Sequence, residues 1–226
     1  MREIVLDTET TGFKPEEGHR LIEIGCVELH NHVATGKTFH RYINPERDVP
    51  PDAVAVHGLT TEFLADKPLF NDVVADFVDF IGDAPLVIHN AAFDMHFLNW
   101  EMRIAGYPVM PKDRAIDTLM MARQKFPGAP ATLDALCKRF GVDNSGRTYH
   151  GALLDAQLLA EVYLELRGGR QAGLELASGP SASGGGATIR IDRPYRAPRP
   201  HAPSEEELLA HAELLKKLKN PLWVAE

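Results

Sequence analysis

The sequence predicts an α/β fold: a mixed β-sheet flanked by helices, followed by a separate C-terminal appendage. Three observations carry this. Short apolar, β-branched runs, Ile4-Val5-Leu6 and Leu86-Val87-Ile88, read as buried strands. Between and after them lie stretches with apolar residues at helical spacing. After Arg167 the composition changes abruptly to Gly, Ser, Pro and Arg.

In chain order, strands are expected at about 3–8, 21–29 and 37–43. In the second, Leu21, Glu23, Gly25 and Val27 alternate with Ile22, Ile24 and Cys26, which predicts one very apolar face. Pro45, Pro50 and Pro51 mark a loop before Ala53–His57. Asn71–Ile81 reads as a helix with Val74, Phe77, Val78 and Ile81 at core spacing. After the strand at 86–88, Asn90 is placed to cap a helix over 91–105 that carries Phe93, Phe97, Leu98 and Trp100. Helices follow at 117–125 and at 132–140, the latter capped by Thr132 and stopped by Gly141. A last core helix spans about 151–167, with Leu154, Leu158, Leu159, Val162 and Leu166 on its core stripe. Three early strands and then alternating helix and strand give the mixed sheet. No internal repeat is present.

Chemistry-bearing residues collect at the ends of these elements. Asp7 and Glu9 stand two apart on the first strand, so both side chains leave the same face. Two carboxylates that close repel unless a cation lies between them. Asp94 falls in the first turn of a helix that begins at a strand end, where ligands collect in α/β folds. Asp155 lies near the start of the last core helix, and His150 precedes it on the approaching loop. A separation of five residues would splay His150 and Asp155 about 140° apart on a helix. On a loop His150 can swing over the pocket instead, with Gly151 and Ala152 leaving room for close approach.

Asp7-Thr-Glu9-Thr-Thr-Gly12, His57-Gly-Leu-Thr60, Asn90-Ala-Ala-Phe93-Asp94 and Tyr149-His150-Gly-Ala152-Leu-Leu-Asp155 resemble, in order and approximate spacing, the motifs of the histidine-bearing DEDD 3′–5′ exonucleases. The resemblance covers roughly residues 1–167, and within the family the chain is most similar to the proofreading subunits of bacterial replicative polymerases. It implies a ribonuclease H-like fold and hydrolysis of DNA 3′ ends to 5′-mononucleotides. It also implies that the Thr10–Thr11–Gly12 turn, His57 and Asn90 contact the substrate. Four carboxylates and no cysteine cluster suit two hard divalent ions, Mg²⁺ or Mn²⁺, rather than zinc. Two such ions about 3.5–4 Å apart orient and acidify a water and stabilise the leaving oxygen. In this reading Asp7 bridges both metals, Glu9, Asp94 and Asp155 complete the set, and His150 is the general base. The chain has 10 histidines, and His150 alone lies five positions ahead of the third carboxylate.

Composition bounds the alternatives. The 226 residues allow one domain of ordinary size plus an appendage, and 44% hydrophobic residues are enough for a core. No apolar stretch approaches the ~20 residues of a membrane span. Met1-Arg2-Glu3-Ile4 runs straight into a strand without room for a signal peptide, and the two lone cysteines, Cys26 and Cys137, fit a reduced cytoplasm. The net charge is -8, with 16 Lys/Arg against 25 Asp/Glu in residues 1–167. A core this acidic should grip DNA weakly by itself, which is the design expected of a subunit.

Residues 168–203 read as a flexible linker, with Gly184-Gly185-Gly186 and an extended Pro- and Arg-rich stretch at 193–203. Gln171, Leu174 and Leu176 resemble a sliding-clamp-binding motif. Residues 204–226 open with a capping box, Ser204-Glu-Glu-Glu207, and continue as a helix to about Lys219 with Leu208, Ala212, Leu215 and Leu218 on one stripe, followed by Pro221-Leu222-Trp223. A short isolated helix is marginal in water, so the stripe is expected to dock. The resemblance implies the polymerase's catalytic (alpha) subunit as its partner, with the sliding clamp and a small theta-like accessory subunit as further candidates and no membrane. Two other classes are an RNA-trimming relative using the same core and a non-catalytic assembly subunit. The tail argues against the first and the intact acidic set against the second.

Overall fold

The computed structural model of the chain describes residues 1–169 and 202–218. Gln171, Leu174 and Leu176, the glycine-rich stretch, the Pro/Arg-rich stretch up to His201 and Pro221–Trp223 lie outside the described residues. The chain divides into two compact units, Met1–Glu175 and Leu176–Glu226.

In the first unit, β1 (Arg2–Thr10), β2 (Leu21–His30) and β3 (Val33–Tyr42) form an antiparallel meander, and β4 (Leu86–Ile88) and β5 (Ala115–Asp117) add in parallel, in the order β3-β2-β1-β4-β5. One face, with Ile4, Leu6 and Ile88, packs on α3 (Phe70–Ile81) and α4 (Ala91–Ile104). The other, with Val5, Val27 and Val87, packs on α6 (Leu133–Phe140) and α7 (Ala152–Leu166). The short helices α1 (Pro51–His57) and α2 (Thr61–Leu64) cover the end of β2, and α5 (Thr118–Lys125) follows β5 directly.

Strand β2 departs from expectation. Both of its faces are buried from Leu21 to Leu29, because helices cover the sheet on both sides. Glu23 is tolerated there because His40 Nε2 lies 2.7 Å from its carboxylate. Strand β5 is an addition to the expected set, since three residues are too few to show a period.

Two features place the functional end of the sheet. The last β1–β4 pair is Val5↔Val87, so Asp7 to Thr10 run past the parallel neighbour and leave one edge for helix N-termini. Gly25 pairs with Asp7 across the sheet, and a Cβ there would lie 2.2 Å from the backbone of Ala152 and Leu153. The missing side chain is what lets the first turn of α7 lie on β2. The space expected from Gly151 is not needed, since nothing approaches that position. At the far end α7 is pinned by the Tyr163 hydroxyl, which donates to buried Glu3 at 2.7 Å.

In the second unit, α8 (Glu205–Lys217) has the expected capping box: the Ser204 amide donates to Glu207 at 2.8 Å, and the Glu207 amide donates to the Ser204 hydroxyl at 3.3 Å. The helix ends two residues earlier than expected, and Leu208, Leu209 and Leu214 are exposed.

Candidate active site

The four carboxylates arrive from three directions at one strand end. Alternation along β1 puts Asp7 and Glu9 on the Val5 side, the side on which α7 lies, and Asp155 in the first turn of α7 faces them. Thr8 points to the opposite side, where its hydroxyl donates to Asp94 Oδ1 at 2.7 Å and fixes the first turn of α4. Asp94 and Asp155 are buried and Glu9 is 9% exposed. His150 stands outside α7, on the loop before it, with its ring about half exposed. Among the described residues Glu9, His150 and Asp155 form a close group, each offering an atom within 4.8 Å of the others.

The electrostatics follow from burying like charges together. Burial, and then repulsion from Asp94, Glu9 and Asp155, holds the Asp7 carboxyl well above the ordinary range. Glu9 is pushed up to about 8 by burial, then by Asp155, Glu23 and Asp94. Asp94 is raised to about 7 by burial, against the opposing hydrogen bond from Thr8. Hard oxygen donors that are costly to ionise together fit divalent cations such as Mg²⁺ or Mn²⁺.

One residue in this site is not anticipated by the sequence. The Arg147 guanidinium, with its side chain 8% exposed, donates from Nε and Nη2 to the two Asp155 oxygens at 2.6 and 2.5 Å, and from Nη1 to Asp134 at 2.7 Å. Nη2 also lies 2.8 Å from His150 Nδ1. Arginine only donates, so Nδ1 is the acceptor, and a neutral His150 carries its proton on Nε2. Arg147 lies in a loop without periodicity. Its position three residues ahead of His150 is the only sequence cue.

The expected substrate contacts separate into two places. Thr10, Thr11, Gly12 and His57 line a pocket of about 340 Å³ together with His19, Val56, Phe13 and Phe93. The turn there is rigid: the Thr10 hydroxyl donates to the Gly12 carbonyl, the Arg20 amide donates to the Thr11 hydroxyl, and the His19 ring packs so closely on Gly12 that a Cβ would overlap it. His57 Nδ1 accepts from the Leu59 amide at 3.0 Å, while its buried Nε2 has no partner among the described residues. Phe13, which is 84% exposed, and Phe93, read from sequence as a helix-stripe residue and motif member but not as a substrate contact, add aromatic surface to the pocket.

Asn90 lines the neighbouring cleft of about 870 Å³ that holds Asp7, Glu9, Arg147, His150 and Asp155. It does not cap α4 with its side chain. Its backbone is left-handed (φ 67, ψ 51), whereas a capping side chain needs the extended region. The left-handed turn swings the chain from β4 into α4, and Asp117 accepts from the Asn90 amide at 3.3 Å while capping α5.

A family model described as Exonuclease matches residues 4–163. The chain belongs to the exonuclease family. It is 51% identical over 222 residues to the DNA polymerase III subunit epsilon of Rickettsia felis, covering 96% of this chain and 97% of that protein, and so it belongs with the epsilon subunits. Among solved structures it is similar to exonuclease X in complex with 5′ overhanging duplex DNA, with TM-score 0.58, 27% identity and coverage of 72% of this chain and 89% of that one. The nuclease domain of 3′hExo, a DEDDh family member bound to rAMP, shares the fold with TM-score 0.63 at 22% identity, over 74% of this chain and 91% of that one. The chain is therefore a metal-dependent exonuclease of the epsilon-subunit kind.

Proposed function

We propose that this exonuclease removes mispaired 3′-terminal nucleotides from DNA as 5′-mononucleotides, with two divalent ions held by Asp7, Glu9, Asp94 and Asp155. The observation that carries the ligand assignment is the convergence of four largely buried carboxylates, three of them held above their ordinary range by burial, with repulsion from the other ligands adding to it at Asp7 and Glu9. When bound, the ions supply charge neutralisation and a nucleophilic water at neutral pH. His150, on its half-exposed loop, takes that water's proton. Thr10, Thr11, Gly12 and His57 seat the terminal nucleotide, with the unpartnered His57 Nε2 free to donate to it. Phe13 and Phe93 offer faces on which a base can stack.

The exonuclease works as a subunit of the bacterial replicative polymerase. The exposed leucines of α8 support docking on the polymerase's catalytic subunit, and the run at Gln171–Leu176 supports clamp binding. The strongly acidic composition of residues 1–167 supports a domain that relies on partners to hold DNA.

The test offers 3′-mispaired DNA and matched RNA oligonucleotides with Mg²⁺ or Mn²⁺ and identifies the products. Release of 5′-dNMP is expected, abolished by Asp7→Ala or Asp155→Ala with the fold retained. Full activity of either variant, or undiminished activity in excess EDTA, would sink the ligand assignment.

A further inference from the structure

We propose that Arg147 is a built-in competitor for the divalent cation at Asp155, with Asp134 as the second seat that receives its guanidinium. The inference rests on Asp155 being a metal ligand. Both Asp155 oxygens accept strong charge-assisted hydrogen bonds from Arg147, at 2.6 and 2.5 Å. The fork takes one lone pair on each Asp155 oxygen and sets a positive charge within a few ångströms of any ion bound to the others, so it opposes a divalent cation at this carboxylate by like-charge repulsion.

The arrangement supplies its own exit. Arg147 Nη1 is already 2.7 Å from Asp134 Oδ1, on the outer side of the cleft, where the Asp134 side chain is more than half exposed. Rotation toward Asp134 keeps the guanidinium paired and relieves the crowding at Asp155. The same movement releases His150 Nδ1, which accepts from Arg147 Nη2 at 2.8 Å. While that contact holds, the ring's lone pair is occupied and its other nitrogen carries the proton, so the imidazole has no free site for a proton from water. Arg147 thus acts as a positioning residue, through Asp155 and His150, and couples metal binding to the freeing of the base.

The experiment titrates the full chain, stripped with EDTA and dialysed, with Mn²⁺, and follows free Mn²⁺ by electron paramagnetic resonance. Arg147→Lys keeps the positive charge but loses the bidentate fork. It should tighten Mn²⁺ binding by about tenfold, as expected for releasing a strong charge-assisted bond. Unchanged affinity in this variant would reduce Arg147 to a distant charge, and weaker binding would make it a scaffold for the ligands. Either result overturns the proposal. Asp134→Asn is a second variant in which the guanidinium is left with Asp155 alone, so Mn²⁺ binding should weaken several-fold; equal or tighter binding also overturns it. Wild-type protein that binds no Mn²⁺, or Asp155→Asn that binds it normally, would instead refute Asp155 as a ligand, so the two failures are distinguishable.

Discussion

Replacing Glu9 by Gln should stabilise the chelated protein at alkaline pH while abolishing nuclease activity. Glu9 is 9% exposed and its carboxyl is pushed up to about 8. A carboxyl raised in the folded state binds its proton more tightly there than in the unfolded chain. Its effect on stability is therefore harmless below the ordinary value of 4.5 and becomes a penalty as pH rises toward 8. The gap between those values is worth roughly 5 kcal/mol at ~1.4 kcal/mol per tenfold. Glutamine keeps the shape and never ionises, so this penalty disappears. Against it, Glu9 accepts no side-chain hydrogen bond among the described residues and only lines the cleft, so the new amide would be incompletely hydrated there, at a cost of up to about 1–3 kcal/mol. The net gain is roughly 2–4 kcal/mol at pH 8.5. Near pH 5.5 most of the penalty has gone, and the advantage should vanish or reverse. Urea unfolding in EDTA at the two pH values measures both numbers. Saturating Mn²⁺ should invert the order, because a ligand that binds the folded state adds stability that the Glu9→Gln variant cannot recruit. A variant no more stable than wild type at pH 8.5, or one with the same advantage at both pH values, would refute the reasoning.

Three further outcomes are expected. His150→Ala should lose on the order of 10²-fold or more in rate while still binding Mn²⁺ and a DNA end; a rate within about twofold of wild type across pH 6–9 would remove it as the base. Gly25→Ala should cost about 3 kcal/mol or more in thermal or urea unfolding and most of the activity, since its methyl meets backbone rather than a movable side chain; a stable, active variant would show that α7 does not need this approach. Truncation after Arg167 should leave hydrolysis of single-stranded DNA nearly intact but abolish co-elution with the polymerase's catalytic subunit, and alanines at Gln171, Leu174 and Leu176 should separately weaken clamp binding, both as affinity losses of a tether; a truncated core that binds the polymerase subunit with wild-type affinity would refute the tail's role.

Much of the fold was legible because its signals are local. Thr132 and Gly141 bound α6 as their side-chain and backbone preferences dictate, and the apolar stripe of α7 follows from its burial. The carboxylates were legible because each is tied to an element end that the sequence marks. What escaped depends on tertiary partners. Nothing in Asn90 distinguishes a left-handed turn from a cap until Asp117 is known to hold its amide. Glu23 on an apolar strand looks like a solvent-facing residue until His40 is placed beside it. Arg147 sits in a loop, and its four contacts come from α6, α7 and the His150 position, none of them at a periodic spacing.

The docking of α7 against Gly25 has a bearing on when the enzyme becomes an enzyme. Asp7 and Glu9 belong to the first strand and Asp94 to the middle of the chain, but Asp155 and His150 come last. A chain emerging from the ribosome can pair β1, β2 and β3 and seat α4 long before α7 exists, so it holds Asp7, Glu9 and Asp94 for some time without Asp155 or His150, the proposed fourth ligand and base. Hydrolysis has to wait for a helix contributed by the end of the domain to settle on a glycine near its beginning. Such pairing of distant segments is slow compared with forming a hairpin. With Asp155 and His150 in the roles proposed for them, the order of synthesis keeps the growing polypeptide from cutting nucleic acid until the last helix of the exonuclease domain is in place.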